Sequence, residues 1–216
     1  KQKMFINATA SEVLFGGAAG GGKSYGQTVD AFLFALKYPG SKQLLLRRTF
    51  AELDKSLIRT VLGWYPRSLF TYNSSSHTGR FTNGSVIDFG YCATENDVYQ
   101  YQSAEYDVIR FDELTHFTEM QYIYLISRIR GSNGYPKQIK CSTNPGGVGL
   151  SWVKNRFVDP APPNTPFIGT DGMSRIFIPS LLTDNTFLMN SDPEYQRRLE
   201  ALPESEKRAL LYGDWD

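Results

Sequence analysis

The fold is decided by Gly17-Ala18-Ala19-Gly20-Gly21-Gly22-Lys23-Ser24, a glycine-rich stretch between a short apolar run and a helical pattern. Glycines at this spacing let successive backbone N–H groups converge on phosphate oxygens at a helix N-terminus, which is the P-loop pattern. In that arrangement Lys23 reaches the β- and γ-phosphates of ATP, and the Ser24 hydroxyl binds Mg²⁺. A glycine-rich turn is the alternative, but the strand and helix predicted on either side favour a phosphate loop.

Strands alternate with helices along most of the chain. Apolar runs predict strands at residues 13–15, 43–47, 107–111, 139–143 and 175–178, and helical patterns predict helices at 25–36, 50–62 and 120–129. Asn83-Gly84 between β-forming residues predicts an inserted antiparallel hairpin. We therefore expect an α/β fold, a P-loop NTPase of the ASCE type with a mainly parallel central sheet flanked by helices.

The predicted domain has two parts. Residues 1–180 would form the ATPase core, and residues 181–216 a small helical lid or linker of the same domain. Acidic residues, which are favoured at helix N-termini, predict the starts of two short helices between residues 192 and 211 of this extension.

Two consecutive carboxylates, Asp112 and Glu113, follow the apolar run at residues 107–111. Asp112 suits the metal, and Glu113 is the candidate base that polarises the attacking water, because the nucleophile lies beyond the γ-phosphate. A pair of surface carboxylates that cap the next helix is the alternative. The phosphate loop upstream favours the catalytic interpretation.

Asn144 ends the next predicted strand, directly after Ser142 and Thr143. In a parallel sheet its side chain emerges at the same carboxyl edge as Asp112, where a sensor of the γ-phosphate belongs. An amide can hydrogen-bond both the phosphate and the attacking water. An ordinary turn at Asn144-Pro145 explains the residues alone equally well.

Composition excludes several classes of protein. The 216 residues are 41% hydrophobic and 21% charged, which is ordinary for a soluble globular protein, and no apolar run is long enough to span a bilayer. Cys92 and Cys141 lie far apart without a metal-binding motif, so we expect buried thiols. A formal net charge of +1 gives no global case for nucleic-acid binding, which would depend on local basic patches.

Three segments, in this order, resemble the large terminase subunit of tailed bacteriophages: the phosphate loop, residues 111–117 and residues 142–147. The resemblance extends to residues 45–50, the Asn83-Gly84 hairpin and residues 210–215, so it covers nearly the whole chain. Large terminases are motors that pump double-stranded DNA into the procapsid, and the family joins an N-terminal ATPase domain to a C-terminal nuclease domain. This sequence resembles only the ATPase domain, so we expect no nuclease activity from it.

The resemblance implies roles for further residues. Asp112 and Glu113 become the Walker B pair, and residues 142–144 the coupling motif, which favours Asn144 as a sensor. Gln2 and Phe5 lie where the family places adenine contacts, with core packing as the alternative for Phe5. The expected nucleotide contacts are Gln2, Phe5, Gly17, Ala18, Ala19, Gly20, Gly21, Gly22, Lys23, Ser24 and Tyr25.

The cation for the transition state is not assigned by these motifs. Many terminases carry arginine in the phosphate loop, where this chain has Ala19, and an Arg-Gly pair before the Walker B strand, where it has Gln102-Ser103. Arg48 is the first candidate because it follows a predicted strand near the catalytic edge. Further candidates are Arg47, Arg128 and Arg130, and a neighbouring subunit is the other source.

The resemblance also implies partners. The chain would hydrolyse Mg-ATP to move duplex DNA through phosphate contacts that ignore sequence. Its partners would be the portal protein, the small terminase subunit and further copies of itself in a ring on the procapsid, in the host cytoplasm and away from membranes. Candidate DNA-contacting patches contain Lys55, Arg59, Arg67, Arg128, Arg130, Lys137 and Lys140.

Two other functions compete with this one. The first is a helicase or recombinase ATPase, which would act on single strands and stack unpaired bases on aromatic side chains. The second is a nucleotide-dependent assembly module whose hydrolysis is vestigial, which the intact Lys23, Asp112 and Glu113 disfavour.

Overall fold

The computed structural model describes residues 1–216. Its strands are β1 Glu12–Gly17, β2 Lys42–Arg47, β3 Phe70–Asn73, β4 Thr78–Phe81, β5 Val86–Tyr91, β6 Val108–Asp112, β7 Gln138–Thr143, β8 Phe167–Ile168 and β9 Ser174–Ser180. Its α-helices are α1 Gln2–Asn7, α2 Lys23–Lys37, α3 Phe50–Leu53, α4 Arg59–Trp64, α5 Glu119–Ile126, α6 Leu150–Val153, α7 Thr186–Ser191, α8 Tyr195–Glu200 and α9 Glu204–Lys207. Single π-helical turns extend three of them, at Asp54–Ile58, Lys154–Val158 and Arg208–Tyr212.

The chain divides into two compact units. The first contains Lys1–Lys23, Glu113–His116 and Cys141–Asp216, and the second contains Ser24–Asp112 and Phe117–Lys140. Strand pairing is parallel between β1 and β9 in the first unit, and between β2 and both β5 and β6 in the second. None of the helices has the length and apolar character needed to cross a bilayer.

The second unit orders its strands β3-β4-β5-β2-β6. The apolar run in the middle of β2 is buried on both faces, as expected for a central parallel strand. The antiparallel β4 and β5 form the predicted hairpin, with Gly84 at a φ of 86° in its turn. Residues 50–64 are continuously helical and pack on the unit's apolar core, which includes Leu45, Leu57 and Phe89.

Three charges are buried together inside the second unit: Asp30 on α2, Arg110 on β6 and Lys140 on β7. The guanidinium of Arg110 pairs with Asp30, and its Nε donates to Gln43 Oε1 at 2.9 Å. The ammonium of Lys140 lies 3.2 Å from Asp30. Burial lowers the pKa of Lys140 to about 8, with Asp30 opposing the shift and Arg110 adding to it. Lys140 is therefore a core residue, and its inclusion among DNA-contacting candidates was wrong.

The first unit orders its strands β1-β9-β8. Its apolar core joins Phe5 and Phe15 with residues of β9. The buried carboxylate of Glu12 accepts hydrogen bonds from Arg156 and Arg175, each at 2.8 Å. Two cations thus balance this buried anion, as a charge inside a protein requires.

The C-terminal extension contains more helix than predicted. Two helices were expected there, and the structure has three: α7, α8 and α9, the last of which continues into a π-helical turn. The first of these begins early because Asn185 accepts a hydrogen bond from Leu188 N, which is the usual side-chain cap of a helix N-terminus. Leu182, Leu199 and Leu211 form the small apolar core of this extension.

The predicted α/β fold with an inserted hairpin is confirmed, and both cysteines are buried free thiols as expected. Four short elements were missed: α1, β3, α6 and β8. β8 has two residues and β3 has four, which is too short for an alternating pattern to register.

Candidate active site

The phosphate loop connects β1 to α2 through two left-handed glycines, Gly20 and Gly22, each at a φ of 74°. Only glycine adopts this conformation without a steric cost, so the glycines predicted to face phosphate also shape the backbone. The loop runs directly into the 15-residue α2, whose N-terminus supplies N–H groups and the positive end of the helix dipole. Backbone and helix together have the properties of an anion site.

One side of the loop is packed against protein. A Cβ at Gly21 would lie 1.9 Å from Ser180 Oγ, and one at Gly22 would lie 2.2 Å from Gln2 Nε2. The backbone N–H of Ala18 donates to the Ser180 carbonyl at 2.8 Å. Gly21 and Gly22 therefore have no room for a side chain, and only their backbone atoms can contact a phosphate chain. This fits the triphosphate predicted from sequence.

The predicted adenine contacts lie beside the loop in the same unit. Gln2 Nε2 donates to the Gly22 carbonyl at 2.8 Å. Phe5 is fully buried and stacks on Phe15, with ring centroids 5.4 Å apart. The structure thus assigns Gln2 a contact with the loop and Phe5 a place in the core, and their contact with adenine stays a prediction.

Lys23 and Asn144 meet in the first unit. The Lys23 ammonium donates to Asn144 Oδ1 at 2.7 Å and to the Ala18 carbonyl at 2.6 Å. Lys23 begins α2 and Asn144 directly follows β7, and the lysine is 7% exposed. The structure therefore brings together the cation of the phosphate loop and the residue predicted as a sensor.

Glu113 adopts an unusual backbone conformation, with a φ of 57°. Such a conformation costs a non-glycine residue about 1–3 kcal/mol and is characteristic of functional sites. Its carboxylate accepts a hydrogen bond from Asn144 N at 3.3 Å. Thr115 supports the same turn, because its hydroxyl lies 2.8 Å from Thr143 Oγ1 and donates to the Asn144 carbonyl at 3.0 Å. The predicted base and the predicted coupling motif are thus in contact.

The metal-binding candidates Ser24 and Asp112 meet in the second unit. The Ser24 hydroxyl donates to Asp112 Oδ1 at 3.0 Å, and Asp112 is 1% exposed. Hydroxyl and carboxylate oxygens are the donors that Mg²⁺ takes in phosphate sites, where it keeps few protein ligands. The pair fits Mg²⁺ as predicted.

Arg47 is the arginine nearest this pair, with Nη1 3.4 Å from Asp112 Oδ2. Arg48, the first candidate from sequence, donates instead to Gln121 Oε1 at 2.7 Å. The strand register explains the difference. Leu46 pairs with Phe111, so Arg47 and Asp112 are the next residues of two neighbouring parallel strands. Arg47 was one of the further candidates from sequence, and this register places it beside Asp112.

The remaining candidates lie in the second unit with other partners. Tyr25 is half exposed and packs against Trp64, with ring centroids 5.7 Å apart. Arg128 and Arg130 donate to the carbonyls of Gln102 and Ala104. The contacts of these three residues are structural.

Comparison with protein families gives a match over nearly the whole chain. The model of the N-terminal part of the terminase large subunit, T4-like-virus type, matches residues 14–216. Comparison with curated proteins gives no match.

Solved structures share the fold at low sequence identity. The large terminase of a thermophilic bacteriophage, in complex with ATP-γ-S, is 14% identical with a TM-score of 0.75, over 99% of this chain and 52% of that chain. The ATPase domain of the Thermus phage P74-26 large terminase is 15% identical with a TM-score of 0.63, and the match covers 100% of this chain and 92% of that chain. A chain of the bacteriophage phi29 genome packaging motor assembly is 18% identical with a TM-score of 0.56, and the match covers 89% of this chain and 62% of that chain.

This chain spans about half the length of the first of these large terminases, which it covers to 52%. At these identities the likeness shows the fold alone, and the predicted fold, that of terminase ATPase domains, is confirmed.

Proposed function

The chain belongs to the T4-like-virus type of terminase large subunits, and on this premise we propose that it is the ATPase domain of a viral DNA-packaging motor. The observation that carries the proposal is the contact of Lys23 with Asn144 and of Asn144 with Glu113 in the first unit. A phosphate-binding cation, a sensor and a base are the groups that ATP hydrolysis requires at one place.

Each residue has a role in the proposed reaction. Lys23 and the loop backbone would hold the β- and γ-phosphates. Glu113 would accept a proton from the attacking water as the water oxygen bonds to the γ-phosphorus and the bond to the bridging oxygen breaks. Asn144 would exchange its bond to Lys23 for one to the γ-phosphate, and would lose it when phosphate leaves.

Ser24 and Asp112 would hold Mg²⁺, which neutralises charge that develops on the phosphate oxygens. Asp112 and Glu113 are consecutive, as are Lys23 and Ser24, so the metal and phosphate ligands are neighbours along the chain. For nucleotide binding, a similar protein, the large terminase of the thermophilic bacteriophage, was solved with ATP-γ-S.

The proposed partners are those of a packaging motor: duplex DNA without sequence preference, the portal protein, the small terminase subunit and further copies in a ring. The similar phi29 chain belongs to a packaging motor assembly. Arg48 remains a candidate for the transition-state cation. Arg47 is a stronger one within this chain, because it contacts Asp112. A neighbouring copy is the third source.

ATP turnover tests the proposal, measured against protein concentration with and without duplex DNA. We expect turnover that duplex DNA stimulates and that Lys23→Ala abolishes together with nucleotide binding. The control is Lys37→Ala, which removes an exposed lysine at the other end of α2 and should leave turnover unchanged. A rate per molecule that rises with concentration supports an arginine from a neighbour.

Other outcomes contradict the proposal. Stimulation by single strands alone, with strand separation, supports the helicase alternative. Nucleotide binding without turnover under any of these conditions supports the assembly module.

A further inference from the structure

The end of the chain touches the phosphate loop through backbone atoms. The N–H of Ala19 donates to the Leu210 carbonyl at 2.7 Å. Three residues later Gly213 turns the chain in the left-handed region, at a φ of 67°. A Cβ at Gly213 would lie 2.6 Å from Ala18 N and 3.0 Å from the backbone of Gly17. This contact is backbone on backbone, so it tolerates no side chain.

A second contact comes from the start of the extension. Asn185 Nδ2 donates to the Gly20 carbonyl at 2.6 Å. The same side chain caps α7, because its Oδ1 accepts from Leu188 N at 3.2 Å. One amide thus joins the first helix of the extension to one of the two left-handed glycines of the loop.

The apolar core of the extension covers the same glycine. A Cβ at Gly20 would lie 2.7 Å from Tyr195, 2.8 Å from Leu182 and 2.9 Å from Leu188. Ala19 packs against the same cluster. Loop residues 18–20 are therefore held by hydrogen bonds and by apolar contacts from residues 180–216.

These contacts bear on ligand binding because a glycine-rich loop has many conformations available to it. Fixing a residue's backbone costs conformational entropy, so a ligand that must itself order the loop binds more weakly. Contacts that hold the loop beforehand remove this cost from binding.

We propose that Asn185 and the segment Leu210–Gly213 are positioning residues that hold the phosphate loop in its nucleotide-binding form. The C-terminal extension is then a determinant of nucleotide affinity. The inference rests on the proposed function, because it concerns the same phosphate site. It goes further in assigning part of the affinity to residues that contact no phosphate.

Gly213→Ala tests the segment, with Gly172→Ala as the matched control. Both glycines are left-handed, at φ values of 67° and 79°, but no atom lies within 4 Å of a Cβ at Gly172. Both variants thus place alanine in the left-handed region, and only Gly213→Ala pushes the segment off the loop. We expect ATP-γ-S with Mg²⁺ to bind Gly213→Ala about tenfold more weakly, and Gly172→Ala as tightly as the unmodified chain.

Asn185→Ser is the second variant, and it keeps the chain folded. Serine retains an oxygen that caps α7 but lacks the amide that reaches Gly20. We expect a melting temperature close to that of the unmodified chain and about fivefold weaker ATP-γ-S binding. Equal affinity of this variant and the unmodified chain would overturn the inference, as would equal affinity of the two glycine variants.

Amide hydrogen exchange without nucleotide separates this inference from the proposed function. We expect faster exchange in residues 17–24 of both Gly213→Ala and Asn185→Ser than in the unmodified chain, because the loop opens more often. An unmodified chain that binds no ATP-γ-S contradicts the proposed function alone. Unchanged exchange in both variants contradicts the inference alone.

Discussion

The two units hold their predicted site residues in different ways. In the first unit these residues lie on irregular backbone: Gly20 and Gly22 are left-handed, and Glu113 is left-handed without being glycine. In the second unit Ser24 lies in the first turn of a long helix and Asp112 ends a fully buried strand. The phosphate-binding candidates of the first unit thus depend on irregular backbone, and the metal-binding candidates of the second unit lie on regular elements.

The supporting contacts differ in the same sense. Loop residues in the first unit are held from far along the chain, by Ser180, Asn185 and Leu210. Regular elements in the second unit are held by ion pairs in their own core, where Asp30 joins α2 to two strands. We infer that changes in the first unit affect mainly activity, and that changes in the core of the second affect mainly stability.

The largest effect is expected for Glu113→Gln. This change removes the proton acceptor while leaving the backbone, the loop and the metal ligands in place. Turnover should fall about 10²- to 10⁴-fold with ATP-γ-S binding retained, as measured by single-turnover kinetics and by titration. Glu119→Gln, an exposed glutamate at the start of α5, is the control and should be as active as the unmodified chain.

An equally active Glu113→Gln would remove Glu113 as the base. The strained turn at Glu113 would then serve only to position Asn144. The two units would differ in backbone conformation but not in how strongly changes in them affect activity.

The second prediction concerns Asp30→Ala in the core of the second unit. It leaves Arg110 and Lys140 buried without their shared anion, and loss of one partner of a buried ion pair costs about 3–5 kcal/mol. The free energy of unfolding, from denaturant titration, should fall by that amount. Asp54→Ala removes a partly exposed aspartate, whose side chain is 47% accessible, and should change the free energy of unfolding by less than about 0.5 kcal/mol. Equal effects of the two variants would mean that the buried cluster does not hold this unit.

Sequence reasoning predicted most of the regular structure and, within each unit, the candidate residues that the structure brings into contact. Asp112 was predictable because a buried strand must end where its apolar run ends, and Lys23 because glycine spacing fixes where a helix can start. Asn144 followed from the rule that parallel strands share a carboxyl edge. Each of these inferences uses neighbours along the chain or along the sheet.

The rest depends on contacts between residues distant in sequence. Nothing near Asn185 or Leu210 shows that they reach the phosphate loop, because an amide and a carbonyl are common groups that many partners can satisfy. Lys140 looked like a surface charge for the same reason, since its partner Asp30 lies on another element. Arg47 was a candidate from sequence, but its place beside Asp112 depends in the same way on the pairing of two strands distant in sequence.

The smallest predicted effect is a pH dependence of stability from Lys140. Its pKa is about 8 when folded, and an unfolded lysine titrates near about 10.4. Between these values the unfolded chain binds more protons, so the free energy of unfolding rises with pH through this window. We expect a gain of about 1–2 kcal/mol between pH 7 and 9.5, relative to Lys140→Met at the same pH values.

Burial explains the direction, because it disfavours the charged ammonium of Lys140 more than Asp30 favours it. With Lys140 protonated, one anion faces two cations, and loss of its proton leaves the neutral pair of Asp30 and Arg110. Lys37→Met, which removes an exposed lysine, should keep the pH dependence of the unmodified chain. A stability difference between the unmodified chain and Lys140→Met that stays flat over this range would mean that Lys140 keeps its charge when folded. Asp30 would then stabilise both cations, and the second unit would depend on this single aspartate even more than its geometry indicates.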